Sequence, residues 1–246
     1  MSSNSRCQEE MKMIQQNSNK IMELASLAND NIKPTCVYQR PILLQLTSKL
    51  ASYTIPGMRM ESTTYDVPTC SSLKGALDSI YKHKGAEAIP TAVYIHSPIK
   101  KTRIPLRNIT GKDAQQDIRG MRSRECLTDV CYTVVVYIVA MSNMRNPNGL
   151  QEHYDKFLEY ASGSCGMDFP YLGVMETPMY FRVVSEEGIP PTQPITLDLG
   201  YMPLMSNYTA KRNPDLICRH LQIENGVIDY TKGEKFCCYG HSERTR

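Results

Sequence analysis

The sequence predicts an α+β fold, a single mixed domain with a central β-sheet flanked by two or three helices and an N-terminal helical arm. Three observations carry that expectation. The run from Thr133 to Val139 is β-branched and apolar throughout, which suits a central strand buried on both faces. Two internal segments repeat apolar residues at helical spacing between turn residues. The last third alternates short β-prone runs with Gly, Pro and Asn. At 246 residues and 41% apolar, the chain is long enough to bury a sizeable core.

The elements follow in order. Residues 6–29 lack Gly and Pro, and Met11, Ile14, Ile21, Leu24, Ala25 and Ala28 fall near one helical face, which predicts the arm. Residues 42–55 then read as one strand, with room for the start of another, closed by Pro56-Gly57. Ser71 or Ser72 can cap a helix carrying Leu73, Leu77, Ile80 and Tyr81 and ending at Gly85. A strand follows Pro90, after which Pro98 and Pro105 bracket a basic segment predicted to be an exposed loop. Beyond the central strand, Asn146-Pro147 opens a helix with Leu150, Tyr154, Phe157, Leu158 and Ala161, closed by Gly163. The remainder is β-rich, and Asn225-Gly226 supplies the strongest hairpin signal. Residues 1–32 are thus an arm, 33–232 the core domain and 233–246 a tail.

Charge divides the chain. Between residues 96 and 124, eight basic residues face two acidic ones, a net +6; between 150 and 200 the balance is −6. Nine cysteines are an odd number, and the N-terminus has no apolar signal core, so reduced thiols inside a cell are expected. The sequons at Asn108 and Asn207 are then chance matches. The apolar run at 130–141 is too short for the roughly 20 residues of a membrane-spanning helix.

Several groups bear on chemistry. Gly163-Ser164-Cys165-Gly166 resembles the nucleophile segment of chymotrypsin-like viral cysteine proteases, with His83, His96 and His153 upstream as bases; a helix-ending turn is the competing reading. Cys218, His220, Cys237, Cys238 and His241 are five potential zinc ligands, although C-x-H followed by C-C-x-x-H is not a finger spacing. No phosphate-binding glycine loop or zinc-protease helix occurs, and no cofactor is expected. Pro191-Thr192-Gln193-Pro194 approaches a viral budding peptide but reads better as a loop. Lys100, Lys101, Arg103, Arg107 and Lys112 suit phosphate contact or nuclear import. Glu152, Asp155 and Glu159 suit a complementary self-association face.

The order of strand at 43–50, helix at 73–84, strand at 92–96, basic segment, long strand and further helix resembles the core of rhabdovirus matrix proteins. The Met-, Ser- and Tyr-rich composition and the import-like cluster resemble the plant-infecting, nucleus-replicating members. That resemblance implies a non-enzymatic structural protein of the virion and of the host nucleus or cytoplasm. Its expected partners are its own copies, a viral nucleocapsid, an anionic membrane surface to which it binds peripherally, and a nuclear import receptor. A cysteine protease using Cys165 and a non-specific nucleic-acid-binding or movement-type protein are the alternatives.

Overall fold

The computed structural model describes residues 3–28, 32–55, 58, 62–112, 117–144, 146, 149–163, 166–206 and 216–238. Its fold is α+β, a ten-stranded antiparallel sheet with three helices packed against it. The long strand β5 (Asp117–Met141) organises everything else. Residues 127–136 pair with β2 (Ile42–Ala51), and 132–140 pair on the other side with β3 (Ala86–Ile95). The β-branched run is therefore a central strand with neighbours on both edges. Val130, Tyr132, Val134, Val136 and Ile138 alternate into the core, as a period of two requires.

Helix α1 (Ser3–Ala28) docks through Ile21, Leu24 and Ala25, all buried, and contacts the short β1 (Pro34–Val37). Helix α2 (Cys70–Ile80) buries Leu73, Ala76, Leu77 and Ile80 at three- and four-residue spacing. Its N-cap is Thr69, whose hydroxyl accepts from the Ser72 N–H at 3.2 Å. The helix stops at Ile80, five residues before the expected Gly85, because Tyr81 adopts an extended conformation at the C-cap. Helix α3 (Leu150–Ser162) buries Leu150, Tyr154, Phe157 and Ala161, and Gly163 caps it in a right-handed conformation.

The basic segment is not a loop. Strand β4 (Lys101–Lys112) pairs along β5 from Lys101↔Leu127 to Lys112↔Asp117. Pro105 is tolerated because β4 pairs on one side only. Beyond Arg124, which bridges to Ser62, the two strands form a ribbon that pairs with no other strand among the described residues.

The chain continues through the edge strand β6 (Tyr180–Val183) into β7 (Leu197–Ser206), β8 (Leu216–Glu224), β9 (Val227–Asp229) and β10 (Lys235–Cys238). Asn225 and Gly226 turn β8 into β9 with φ of 50° and 77°, the pair of positive values that a two-residue hairpin of this hand needs. The 191–194 stretch is a loop laid along the end of β3, where the Gln193 amide donates to the His96 carbonyl at 2.9 Å. Buried Arg219 on β8 donates to the Tyr230 carbonyl at 2.6 Å and lies 3.6 Å from Glu23 of α1, tying the arm to the last strands.

Candidate active site

Two element ends meet to form the site. Tyr81 leaves α2 in an extended conformation, and His153 stands on α3 one step round from the buried face set by Leu150, Tyr154 and Phe157. The Tyr81 hydroxyl and His153 Nδ1 are 2.8 Å apart. Phe157 meets the Tyr81 ring edge-on at 6.5 Å and Tyr160 covers it at 5.7 Å, so the phenol is held by packing. The open end of α2 is closed by residues 166–168: the Met167 and Asp168 amides donate to the Ile80 and Ser79 carbonyls at 3.1 and 2.8 Å. Gly166 permits that approach, since a Cβ there would lie 2.6 Å from the Ser79 carbonyl oxygen.

The turn after Tyr81 brings a second imidazole. The rings of His83 and His153 have centroids 4.3 Å apart with 35° between planes. Both line an open cleft of about 690 Å³, together with Lys82, Lys84, Asn143, Asn146, Glu152 and Lys156. Burial raises the Tyr81 pKa above that of an ordinary phenol; Lys156 opposes the shift, while Glu152 and Tyr160 add to it. Burial lowers the His153 pKa, and neighbouring His83 and Lys156 lower it further against the pull of Glu152. The resting pair is therefore a neutral phenol beside a neutral imidazole, set in a cleft with three lysines. Such an arrangement takes up protons next to an anion.

The residues predicted from sequence are distributed differently. Lys100 and Arg103 are exposed near the base of the ribbon and make no ion pair among the described residues. Lys101 is held by Asp66 at 2.7 Å and Glu125 at 3.8 Å. Arg107 and Lys112 belong to β4 by backbone, but their side chains lie outside the described residues. Glu152, Asp155 and Glu159 are exposed on α3. Glu152 accepts from Lys156 at 2.7 Å at the cleft, and Asp155 accepts from Gln151 at 3.0 Å. Of these three acids, Glu152 lines the cleft beside His153.

Of the protease constellation, Cys165 lies outside the described residues, and His96 is engaged elsewhere, 2.8 Å from Thr133 Oγ1 and 3.2 Å from the Pro191 carbonyl. Among the zinc candidates, Cys218 is buried and His220 Nε2 is 3.2 Å from Asp198. The side chains of Cys237, Cys238 and His241 lie outside the described residues. No group of three or more metal-ligating side chains comes together among the described residues.

Comparison with known proteins gives this geometry a family. A model for CRISPR-associated proteins of the Cas5d type (Cas5) matches residues 42–233. The chain is 24% identical over 214 residues to the CRISPR pre-crRNA endoribonuclease Cas5d of Mannheimia succiniciproducens, covering 76% of this chain and 93% of that protein. It is 26% identical over 164 residues to the Thermus thermophilus protein of the same name, covering 65% and 70%. Among solved structures, a CRISPR-associated protein is similar at TM-score 0.61 and 19% identity, and a functionally uncharacterised Streptococcus mutans protein at 0.59 and 20%; each covers 81% of this chain and 97% of the other.

These matches overturn the viral reading: the rhabdovirus resemblance, the virion, host-nucleus and membrane placement, and the self-assembly, nucleocapsid, anionic-membrane and import-receptor partners all fall with it. The non-enzymatic assignment falls too, because both named relatives are endoribonucleases, and neither the Cys165 protease nor the movement-type protein fits. The resemblance misled because it rested on element order with the basic segment as a loop, whereas that segment is half of a ribbon. With the family model matched over most of its length, the chain belongs to the Cas5d family of CRISPR-associated proteins.

Proposed function

We propose that this chain is an endoribonuclease that cuts CRISPR precursor RNA, with Tyr81 and His153 as the proton-transfer pair. The observation that carries this reading is the 2.8 Å Tyr81–His153 contact at a lysine-lined cleft. In the resting state the hydroxyl of neutral Tyr81 donates a hydrogen bond to His153 Nδ1, and the neutral imidazole carries its own hydrogen on Nε2. When RNA is bound, the phenol oxygen takes the proton of a ribose 2′-hydroxyl as its own proton passes to His153. The 2′-oxygen attacks the adjacent phosphorus, the bond from phosphorus to the 5′-oxygen breaks, and that oxygen is protonated from water in the open cleft. The products are a 2′,3′-cyclic phosphate and a 5′-hydroxyl. Lys82, Lys84 and Lys156 line the space in which negative charge builds on the phosphate, where fixed cations stabilise the transition state more than the ground state.

The β4–β5 ribbon supplies affinity. Lys100, Arg103 and Arg122 are exposed and unpaired among the described residues, as phosphate contact requires. The test uses a synthetic repeat RNA from the CRISPR array of the organism that encodes the chain. Wild type cuts it at one position, 2′-deoxy substitution of the nucleotide before that position abolishes the cut, and His153→Ala slows it by about 10²- to 10⁴-fold. Full activity of His153→Ala would remove the assignment.

A further inference from the structure

His83 is not used by the proton relay, yet it occupies the same cleft and stacks on His153. Its ring orientation is fixed from its own turn: the Gly85 N–H donates to His83 Nδ1 at 3.1 Å. A ring nitrogen that accepts a hydrogen bond carries no hydrogen, so the neutral imidazole in this arrangement bears its hydrogen on Nε2. Nδ1 is occupied by the turn, which leaves Nε2–H, on the other edge of an exposed ring, as the group offered to a ligand in the cleft.

Charged and polar groups surround the ring. Lys82 and Lys84 flank it on its own turn, and α3 presents His153 and Lys156, with Glu152 as the one acid among the described lining residues. Asn143 and Asn146, from the connection between β5 and α3, are uncharged. The turn itself is tightly specified, since a Cβ on Gly85 would lie 3.0 Å from Met144 Cα.

We infer that His83 is a further catalytic residue, a neutral imidazole whose Nε2–H donates a hydrogen bond to a non-bridging oxygen of the scissile phosphate. This deepens the endoribonuclease reading and rests on it. A donor of this kind is most useful where charge develops, on the oxygens of the five-coordinate phosphorus. It transfers no proton. It also adds no positive charge beside His153, which has to stay free to accept one. His153 and His83 thus divide the work, one ring accepting the relayed proton and the other holding the phosphate.

Three substitutions separate this role from its competitors. His83→Ala removes the ring. His83→Asn keeps an acceptor where Nδ1 stood, and so keeps the turn, but lacks the reach of Nε2. His83→Gln places an amide N–H near the position of Nε2. On the repeat RNA, Ala and Asn should each lower the single-turnover rate on the order of 10- to 100-fold, with Gln restoring most of the loss.

Each variant is then measured on the same RNA carrying sulfur in place of the 5′-oxygen at the cut, a leaving group that needs no proton. The deficits of Ala and Asn should persist there, because the non-bridging oxygens are unchanged. Recovery of His83→Ala on the sulfur substrate would make His83 a proton donor and overturn the proposal. Wild-type rates in His83→Asn would assign the residue to the turn alone, and a Gln variant as slow as Ala would refute donation from Nε2. If wild type cuts neither RNA, the endoribonuclease reading itself has failed, an outcome distinct from a His83 variant that matches an active parent.

Discussion

Salt dependence of RNA binding tests the ribbon quantitatively. In the described part of the hairpin, Lys100, Arg103 and Arg122 are exposed without ion pairs, whereas Lys101 is held by Asp66 and Glu125, and Arg124 by Glu176 at 3.0 Å. Each phosphate neutralised releases counterions and contributes about −0.7 to the slope of log K against log salt for single-stranded nucleic acid. Replacing Lys100, Arg103 and Arg122 with Ala should therefore flatten the slope by about 2. Between 50 and 200 mM salt, a fourfold change, wild type should then lose about 20-fold more affinity than the triple variant. Lys101→Ala should leave the slope unchanged, because that ammonium would have to abandon two carboxylates to reach a phosphate. Fluorescence anisotropy with the repeat RNA gives both slopes. An unaltered slope in the triple variant, or one flattened equally by Lys101→Ala, would show that the ribbon does not hold the RNA.

Further predictions follow from the site and the core. Tyr81→Phe should slow cleavage by about 10²-fold or more if the phenol relays the proton; a loss confined to about 2- to 13-fold, the worth of one hydrogen bond, would reduce Tyr81 to a residue that positions His153. Because the His153 pKa lies below its ordinary value, cleavage should be intact at neutral pH and fall as pH drops through that lowered pKa; the native state should lose stability over the same window, since the unfolded chain binds the proton first. Glu152 pulls that pKa up, so Glu152→Gln should move the acidic limb of the rate profile to lower pH. Burial pushes the Cys70 thiol to about 12 against the opposing pull of Arg219 and Lys74, so iodoacetamide should label exposed Cys36 in the native protein and reach Cys70 only on unfolding. Tyr230→Phe leaves the buried Pro68 carbonyl without its 2.6 Å donor and should cost about 1–3 kcal/mol in urea denaturation.

What could be read in the sequence was what local pattern dictates. The β-branched run became the C-terminal part of β5, the 3.6-residue spacing from Leu150 to Ala161 became α3, and Asn225-Gly226 became a turn with two positive φ values. Two prolines misled: Pro90 sits at a bulge inside β3, and Pro105 in a strand paired on one side, places where a missing N–H breaks no ladder. Tyr81 looked like the last apolar position of a helix, although its value lies in leaving that helix early. His83 and His153 were visible only as possible partners for Cys165, because nothing local announces that residues 70 positions apart will stack. The available signal was modest, a Lys-His-Lys turn after one helix and a Glu-His pair near the start of another.

The course of β5 decides how the two halves of the proposed function are coupled. At one end the strand carries Arg122 on the ribbon; at the other, Met141 leads through the turn at Ser142 and Asn143 into α3 and His153. Nineteen residues separate Arg122 from Met141, at most about 60 Å of extended strand at roughly 3.3 Å per residue. Free cations at the far end of that strand cannot touch the phosphate being cut. Their interaction with RNA is the same before and during the chemical step, which is uniform binding and leaves the maximal rate unchanged. The cleft keeps its own cations, Lys82, Lys84 and Lys156, for the reacting phosphate and leaves retention of the rest of the RNA to the ribbon. The Lys100, Arg103 and Arg122 triple alanine variant should accordingly raise the RNA concentration needed for half-maximal single-turnover cleavage while the saturating rate stays within about twofold of wild type. His153→Ala should do the reverse, lowering the saturating rate with little change in the half-saturating concentration. A triple variant whose saturating rate falls in parallel with its affinity would mean that the ribbon helps to shape the RNA at the cleft, and that binding and cleavage are not separable along β5.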